Sequence, residues 1–200
     1  MTTETETPYT VDRLVGTLCQ IWPYTRGTIG RDVLYTVWKA VEDAHEGHKL
    51  FWGVQDPPSI HADLISFCEF FDTFKHPDRI LLLVQDKASR NFAGFLWFDQ
   101  IVTGHRAFGS IFIAPAYRGA LATEALNLCL DYMFHAIGVK TIWGMTPWPK
   151  ALALIMRGGF ENVATLQDFA VVNEQTYHVQ LCRLTREVFD GLFIPERVGT

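Results

Sequence analysis

Apolar residues along this chain change their spacing near His76. Before it they recur on helical faces. Val11, Leu14, Val15 and Leu18 form one set, Val33, Leu34, Val37, Trp38 and Val41 a second, and Leu64, Ile65, Cys68, Phe71 and Phe74 a third. A period near 3.6 predicts amphipathic helices over 11–22, 31–45 and 60–74. WPYTRGTIG, with Pro23, Gly27 and Gly30, breaks the pattern after the first. HEGHKLFWGVQDPPS reads as a loop with a short strand at KLFWGV. Residues 1–9 are polar and acidic and read as a disordered lead-in.

Beyond His76 the period changes. RILLLVQD is a continuous apolar run, the pattern of a buried strand. FAGFLWFDQIV, RAFGSIFIAP and KTIWGMTPW predict further strands, as do FENVATLQDFAVV and TYHVQLCRL, with turns at KASRN, TGH and NEQ. LATEALNLCLDYMFHAIG is a helix. Ala122, Ala125, Leu126, Cys129, Leu130, Met133, Phe134 and Ile137 make its apolar stripe, and Gly138 ends it. Pro149 opens the helix PKALALIMR, which stops at Gly158 and Gly159. A polar tail follows. The pattern implies one layered α/β (α+β) domain over 10–190, helical in its first third, and a tail over 191–200.

Composition narrows the function classes. The 200 residues carry a net charge of −5, which offers no general attraction for nucleic acid. No apolar run reaches the ~18 residues of a membrane span, and the first residues lack a signal-peptide pattern. Cys19, Cys68, Cys129 and Cys182 lie far apart in apolar segments, as reduced, buried thiols of a cytoplasmic protein would. His45 and His48 in HEGH, with Asp56 and His61 nearby, do not have the HExxH spacing, so no metal site is expected.

The joint between the RAFGSIFIAP strand and the next helix reads IAPAYRGALATEALNLCLDYMF. It resembles the acetyl-CoA-binding segment of the GCN5-related N-acetyltransferase superfamily, whose members often read V-x-P-x-Y-R-G-x-G-x-A-T-E-A-L. Ile113, Pro115, Tyr117, Arg118 and Gly119 match, as do Ala122, Thr123, Glu124, Ala125 and Leu126. MRGGF, residues 156–160, is similar to the family's helix end. The resemblance spans about 79–184. It implies a mixed, mostly antiparallel central sheet with helices on both faces. It also implies acetyl-CoA as co-substrate and a primary amine on a small molecule, lysine or protein N-terminus as acceptor. Phe112, Ile113 and Ala114 would line the pantetheine arm, and Arg118, Gly119, Ala120, Leu121, Ala122 and Thr123 would hold the pyrophosphate. A helix N-terminus suits that role, since its free N–H groups stabilise an anion without lysines.

Two positions depart from the family pattern. The turn is one residue short, and Ala120 stands where a second glycine is usual. Ile155 replaces the tyrosine that would protonate the departing thiolate, with Trp148 and Pro149 at the place of a usual asparagine. Tyr117 is the first substitute, and Tyr132 and Tyr177 are others. His105 is the best-placed base for the amine and His178 the second. Glu124 is expected in the helix's first turn, where a carboxylate suits the dipole. Trp52, Phe70, Phe71, Trp97 and Trp143 could line an acceptor cleft, with core packing as their default role. The departures leave a second reading open, a non-catalytic member of the fold that serves in a homodimer or larger assembly such as a phage particle.

Overall fold

The computed structural model describes residues 13–24, 78–172 and 175–193. The expected helices over 31–45 and 60–74, the lead-in, HEGH, Asp56, His61, Trp52, Cys68, Phe70 and Phe71 lie outside them.

Among the described residues, eight strands form one sheet in the order β1-β2-β3-β4-β5-β6-β8-β7. The strands are β1 (Leu14–Val15), β2 (Cys19–Pro23), β3 (Ile80–Asp86), β4 (Phe92–Val102), β5 (Arg106–Ile113), β6 (Thr141–Thr146), β7 (Glu161–Val172) and β8 (Gln175–Thr185). Every neighbouring pair is antiparallel except β5 and β6. A 3₁₀ turn, Pro115–Tyr117, links β5 to α1 (Ala120–Asp131). The other helices among the described residues are α2 (Pro149–Arg157) and α3 (Arg186–Phe193). Strands β3 to β8 and helices α1 and α2 follow the sequence pattern.

One face of the sheet holds a large core. Ile80, Leu82, Phe98, Ile142 and Cys182 meet the α1 stripe there, and Leu154 and Ile155 of α2 pack against the same cluster. Phe189 of α3 joins it beside Phe134, ring centroids 5.3 Å apart. The described helices thus share one core. The expectation of helices on both faces falls on residues outside the described ones. Cys19, Cys129 and Cys182 are buried free thiols, and burial pushes the Cys19 thiol up to about 12.

Three details depart from the sequence pattern. Residues 14–23 form a hairpin rather than a helix. Val11, Leu14, Val15 and Leu18 fit a helical face, but Cys19 and Ile21 alternate inward as a strand while Val15 and Leu18 stay exposed. Pairing along β3 outweighs local periodicity. An amphipathic helix that the sequence pattern does not predict, α3, closes the expected domain, anchored by the buried Phe189. The long helix is α only to Asp131. It widens into a π turn, Tyr132–Ala136, in which Ile137 N–H donates to Tyr132 O at 3.1 Å. Gly138, at φ +79°, ends it as expected.

Candidate functional site: the wedge between β5 and β6

The parallel pair does not stay closed. Arg106, Ala107 and Phe108 pair with Thr141, Ile142 and Trp143, and there the pairing stops. β5 continues to Ile113 and β6 to Thr146, each still paired on its other side. The two strands therefore open into a wedge. Ala114 N–H donates to Ala93 O at 2.8 Å, which points that residue toward β4. By the alternation of a strand, the backbone groups of Ile113 and Ile111 face the wedge.

Two glycines meet where the wedge begins. A Cβ on Gly144 would lie 3.7 Å from Gly109 O and 4.0 Å from Ile155 Cδ1, while one on Gly109 would collide with Phe98 at 2.9 Å. Neither glycine puts a side chain into the vertex. Glycine within a strand marks close approach of another chain or a ligand. Gly94 makes a comparable approach on the outer side, where a Cβ would stand 2.2 Å from Phe112 O. Sequence reasoning missed all three, because their meaning lies in cross-strand register.

Beyond the open end of β5 stands the N-terminus of α1. Gly119 has φ +102° and ψ −127°, a conformation suited to glycine. The first intrahelical bond runs from Thr123 N–H to Gly119 O at 3.0 Å. No side chain caps the helix, so the N–H groups of Ala120, Leu121 and Ala122 are left for an anion or solvent. Leu121 and Ala122 bury their side chains in the core, and Ala120 is exposed. The shortened turn thus starts the helix directly after Gly119. Arg118 folds back, its Nε–H donating to Ile113 O at 3.0 Å, which ties the turn to the strand end. Phe112, Ile113 and Ala114 are buried, Phe112 against Phe95 at 5.4 Å.

The other expected residues fall elsewhere. His105 is exposed on the β4–β5 turn, three residues from the vertex on the side away from Ile113. Tyr117 packs against the core and its hydroxyl lies 3.4 Å from Asn91 Nδ2, on the β4 side of β5. Tyr132 is buried in the π turn. Tyr177 stacks edge-on to Trp148 at 5.1 Å and donates to Gln175 Oε1 at 2.8 Å. His178 lies on exposed β8 beside Asp168, Nδ1 to Oδ1 3.4 Å. Glu124 does not serve the first turn of α1. Its carboxylate accepts from the N–H groups of Thr17, Leu18 and Cys19 at 2.8, 2.7 and 2.9 Å, holding the β1–β2 turn. Among the described residues no group of three ligating side chains could hold a metal, and no helix is long and apolar enough to cross a membrane.

A family model described as "Acetyltransferase (GNAT) family" matches residues 38–160. The chain belongs to this acetyltransferase family. No curated protein matches it. Among solved structures, this GNAT chain is similar to a GCN5-related N-acetyltransferase from Brucella melitensis, at 20% identity and a TM-score of 0.71, covering 93% of this chain and 82% of that one. It is similar to spermidine N-acetyltransferase from Vibrio cholerae in complex with CoA and spermine, at 20% identity and 0.70, covering 86% and 98%. It is also similar to ribosomal-protein-S5-alanine acetyltransferase from Vibrio fischeri, at 15% identity and 0.70, covering 88% and 98%. At such identities the likeness is one of fold.

Proposed function

We propose that this GNAT protein is an N-acetyltransferase that uses acetyl-CoA and a primary amine. The wedge carries the reading. β5 loses its partner after Phe108, and an uncapped helix N-terminus stands past its far end. From Phe108 to Ile113 the strand runs about 17 Å at ~3.3 Å per residue, about the reach of an extended pantetheine arm.

The residues present fit such a molecule. Gly144 keeps a side chain out of the vertex, and the first N–H groups of α1 suit a pyrophosphate. The inward backbone groups of Ile111 and Ile113 would pair with the arm as a strand edge does, with Phe112 and Ala114 fixing that edge. Gly119 through Thr123 would hold the phosphates, and Arg118 would brace the turn through Ile113 O. Acetyl-CoA supplies the activated thioester, and the chain's part is to fix it against an amine and exclude water. The CoA and spermine complex of the Vibrio cholerae structure supports this use of the fold. A small or peptide-borne amine is the proposed acceptor class, and the cytoplasm the proposed setting.

One observation favours the second reading, a non-catalytic GNAT protein. Ile155, facing Gly144 at the vertex, has no proton to give. Calorimetric titration with acetyl-CoA separates the readings at the binding step. Micromolar affinity (about −8 kcal/mol) is expected. Gly119→Ala measures the cost of backbone strain alone, and Gly119→Asp adds a charge against the phosphates, so the aspartate should bind far more weakly than the alanine. Absence of wild-type binding up to about millimolar cofactor, or equal binding by both variants, would overturn the site.

A further inference from the structure

The closed end of the wedge carries chemistry on its other face. Asp99 of β4 pairs with Phe108 of β5, Phe108 with Trp143 of β6, and Trp143 with Arg183 of β8. Cross-strand partners project from the same face of a sheet. Their chain neighbours Phe98, Ala107, Ile142 and Cys182 are buried in the core on the α1 face. Alternation therefore places the row on the opposite face, directly behind the vertex glycines.

The row is accessible, since Asp99, Phe108 and Trp143 are each only half-buried. The Phe108 and Trp143 rings stack at 6.5 Å and 24°. Arg183 lies 5.8 Å from the Trp143 centroid and donates to Glu161 Oε1 from Nε at 2.7 Å, so the Trp143 ring already accepts one cation. Asp99 differs from the other charged members. No hydrogen bond or ion pair reaches its carboxylate among the described residues. Burial pushes its carboxyl above the ordinary range; Arg79 opposes the shift and Asp78 adds to it. The chain bends beside it. Gln100 has φ +48°, and the β4–β5 register shifts between Asp99 and Val102. A bulge of this kind re-aims side chains, and non-glycine residues hold such a conformation only where their surroundings enforce it.

We propose that Asp99, with the Phe108 ring beside it and the Trp143 ring one strand beyond, binds the protonated primary amine of the acceptor. Arg79 acts on this partly desolvated carboxylate without outweighing its burial, which leaves it open to a closer cation, and ring faces add attraction for an organic ammonium. A carboxylate at the end of a row of rings favours an alkyl or arylalkyl ammonium over a small hydrated cation, because the chain of the amine can lie along Phe108. The row is level with the last β5–β6 pair, at the end of the wedge farthest from the phosphate-binding helix. The role as acceptor site rests on the acetyltransferase reading, but the binding of an amine does not.

The test is calorimetric titration of the full chain, without cofactor, with butylamine and phenethylamine. The Asp99 carboxyl carbon is followed in parallel by NMR as pH is varied. Millimolar or tighter binding is expected, and Asp99→Asn should weaken it about tenfold or more while acetyl-CoA affinity stays within about twofold. A bound cation favours the ionised carboxylate, so amine should lower the Asp99 pKa in the wild type. Wild-type affinity should fall as pH drops through that pKa, and the asparagine variant should lack this limb. Equal amine binding by the variant, or an Asp99 resonance indifferent to amine, overturns the proposal. The resonance decides it even if the variant fails to fold. Loss of acetyl-CoA binding in the wild type would instead sink the acetyltransferase reading and leave the amine result standing.

Discussion

Glu124 gives the sharpest test of how the N-terminal hairpin is held. Its carboxylate takes three backbone N–H groups of the β1–β2 turn, more than a hundred residues away in the chain. Gly16 permits the approach, since a Cβ there would stand 2.6 Å from Glu124 Oε2. The bonds to Thr17 and Leu18 are exposed, so water would replace most of what they contribute. Cys19 is fully buried, and its N–H would be left without a partner. A hydrogen bond to a charged group contributes about 1.5–3 kcal/mol. Counting the Cys19 bond in full and discounting the exposed pair, Glu124→Ala should cost about 2–3 kcal/mol. For a chain of this size that lowers Tm by about 4–12 °C. Burial acts to raise the Glu124 carboxyl, but the three backbone bonds outweigh it and hold it below its ordinary value. Its stabilisation is therefore fully present above the unfolded pKa of about 4.3 and is lost as pH falls through the lower folded value. Urea unfolding of wild type and variant at neutral and acidic pH reads both effects. A loss below about 0.5 kcal/mol, or a gap that does not narrow on acidification, would refute the reasoning.

Gly94→Ala should destabilise by about 2 kcal/mol or more, because its methyl meets Phe112 O at 2.2 Å and Ile113 Cα at 2.8 Å; normal urea unfolding of that variant would contradict the close approach. Asp99→Asn should stabilise the fold at neutral pH, since the folded-state pKa is raised and Arg79 offsets only part of the desolvation of the ionised form. The gain should vanish below the unfolded pKa, as thermal melts across pH would show; a variant less stable at neutral pH would mean that the carboxylate has a structural partner. His105→Ala should leave turnover within about twofold, given its exposed place three residues beyond the vertex. A hundredfold fall (about the lower range for a lost general base) would put the base there.

Much of the sheet was legible because burial on both faces writes unbroken apolar runs, as in ILLLVQD of β3. The α1 stripe and the Arg118-Gly119 turn were legible for a different reason, since helical spacing and a positive φ demand those residue types locally. What failed was information held between strands. Leu14 and Val15 satisfy a helical period, and only pairing with β2, and of β2 with β3, makes that stretch a hairpin. Gly109 and Gly144 look unremarkable until register places them across the vertex. Asp99 stands alone in the sequence and gains its meaning from Phe108 and Trp143. α3 carries one buried anchor in a polar stretch, too sparse a signal to distinguish from a tail.

The wedge also divides the sheet into unequal parts. Strands β1 to β5 and strands β6, β8 and β7 are joined by three residue pairs alone, Arg106–Thr141, Ala107–Ile142 and Phe108–Trp143. Backbone amides beyond that seam behave as sheet edges, and the two parts have the makings of separate cooperative units in hydrogen exchange. A molecule that pairs with both walls would add an inner strand in all but covalent connection. It would turn two edges into interior and merge two opening events into one. Protection on β5 and β6 would then rise together, at the closed end of the wedge as well as beside the N-terminus of α1.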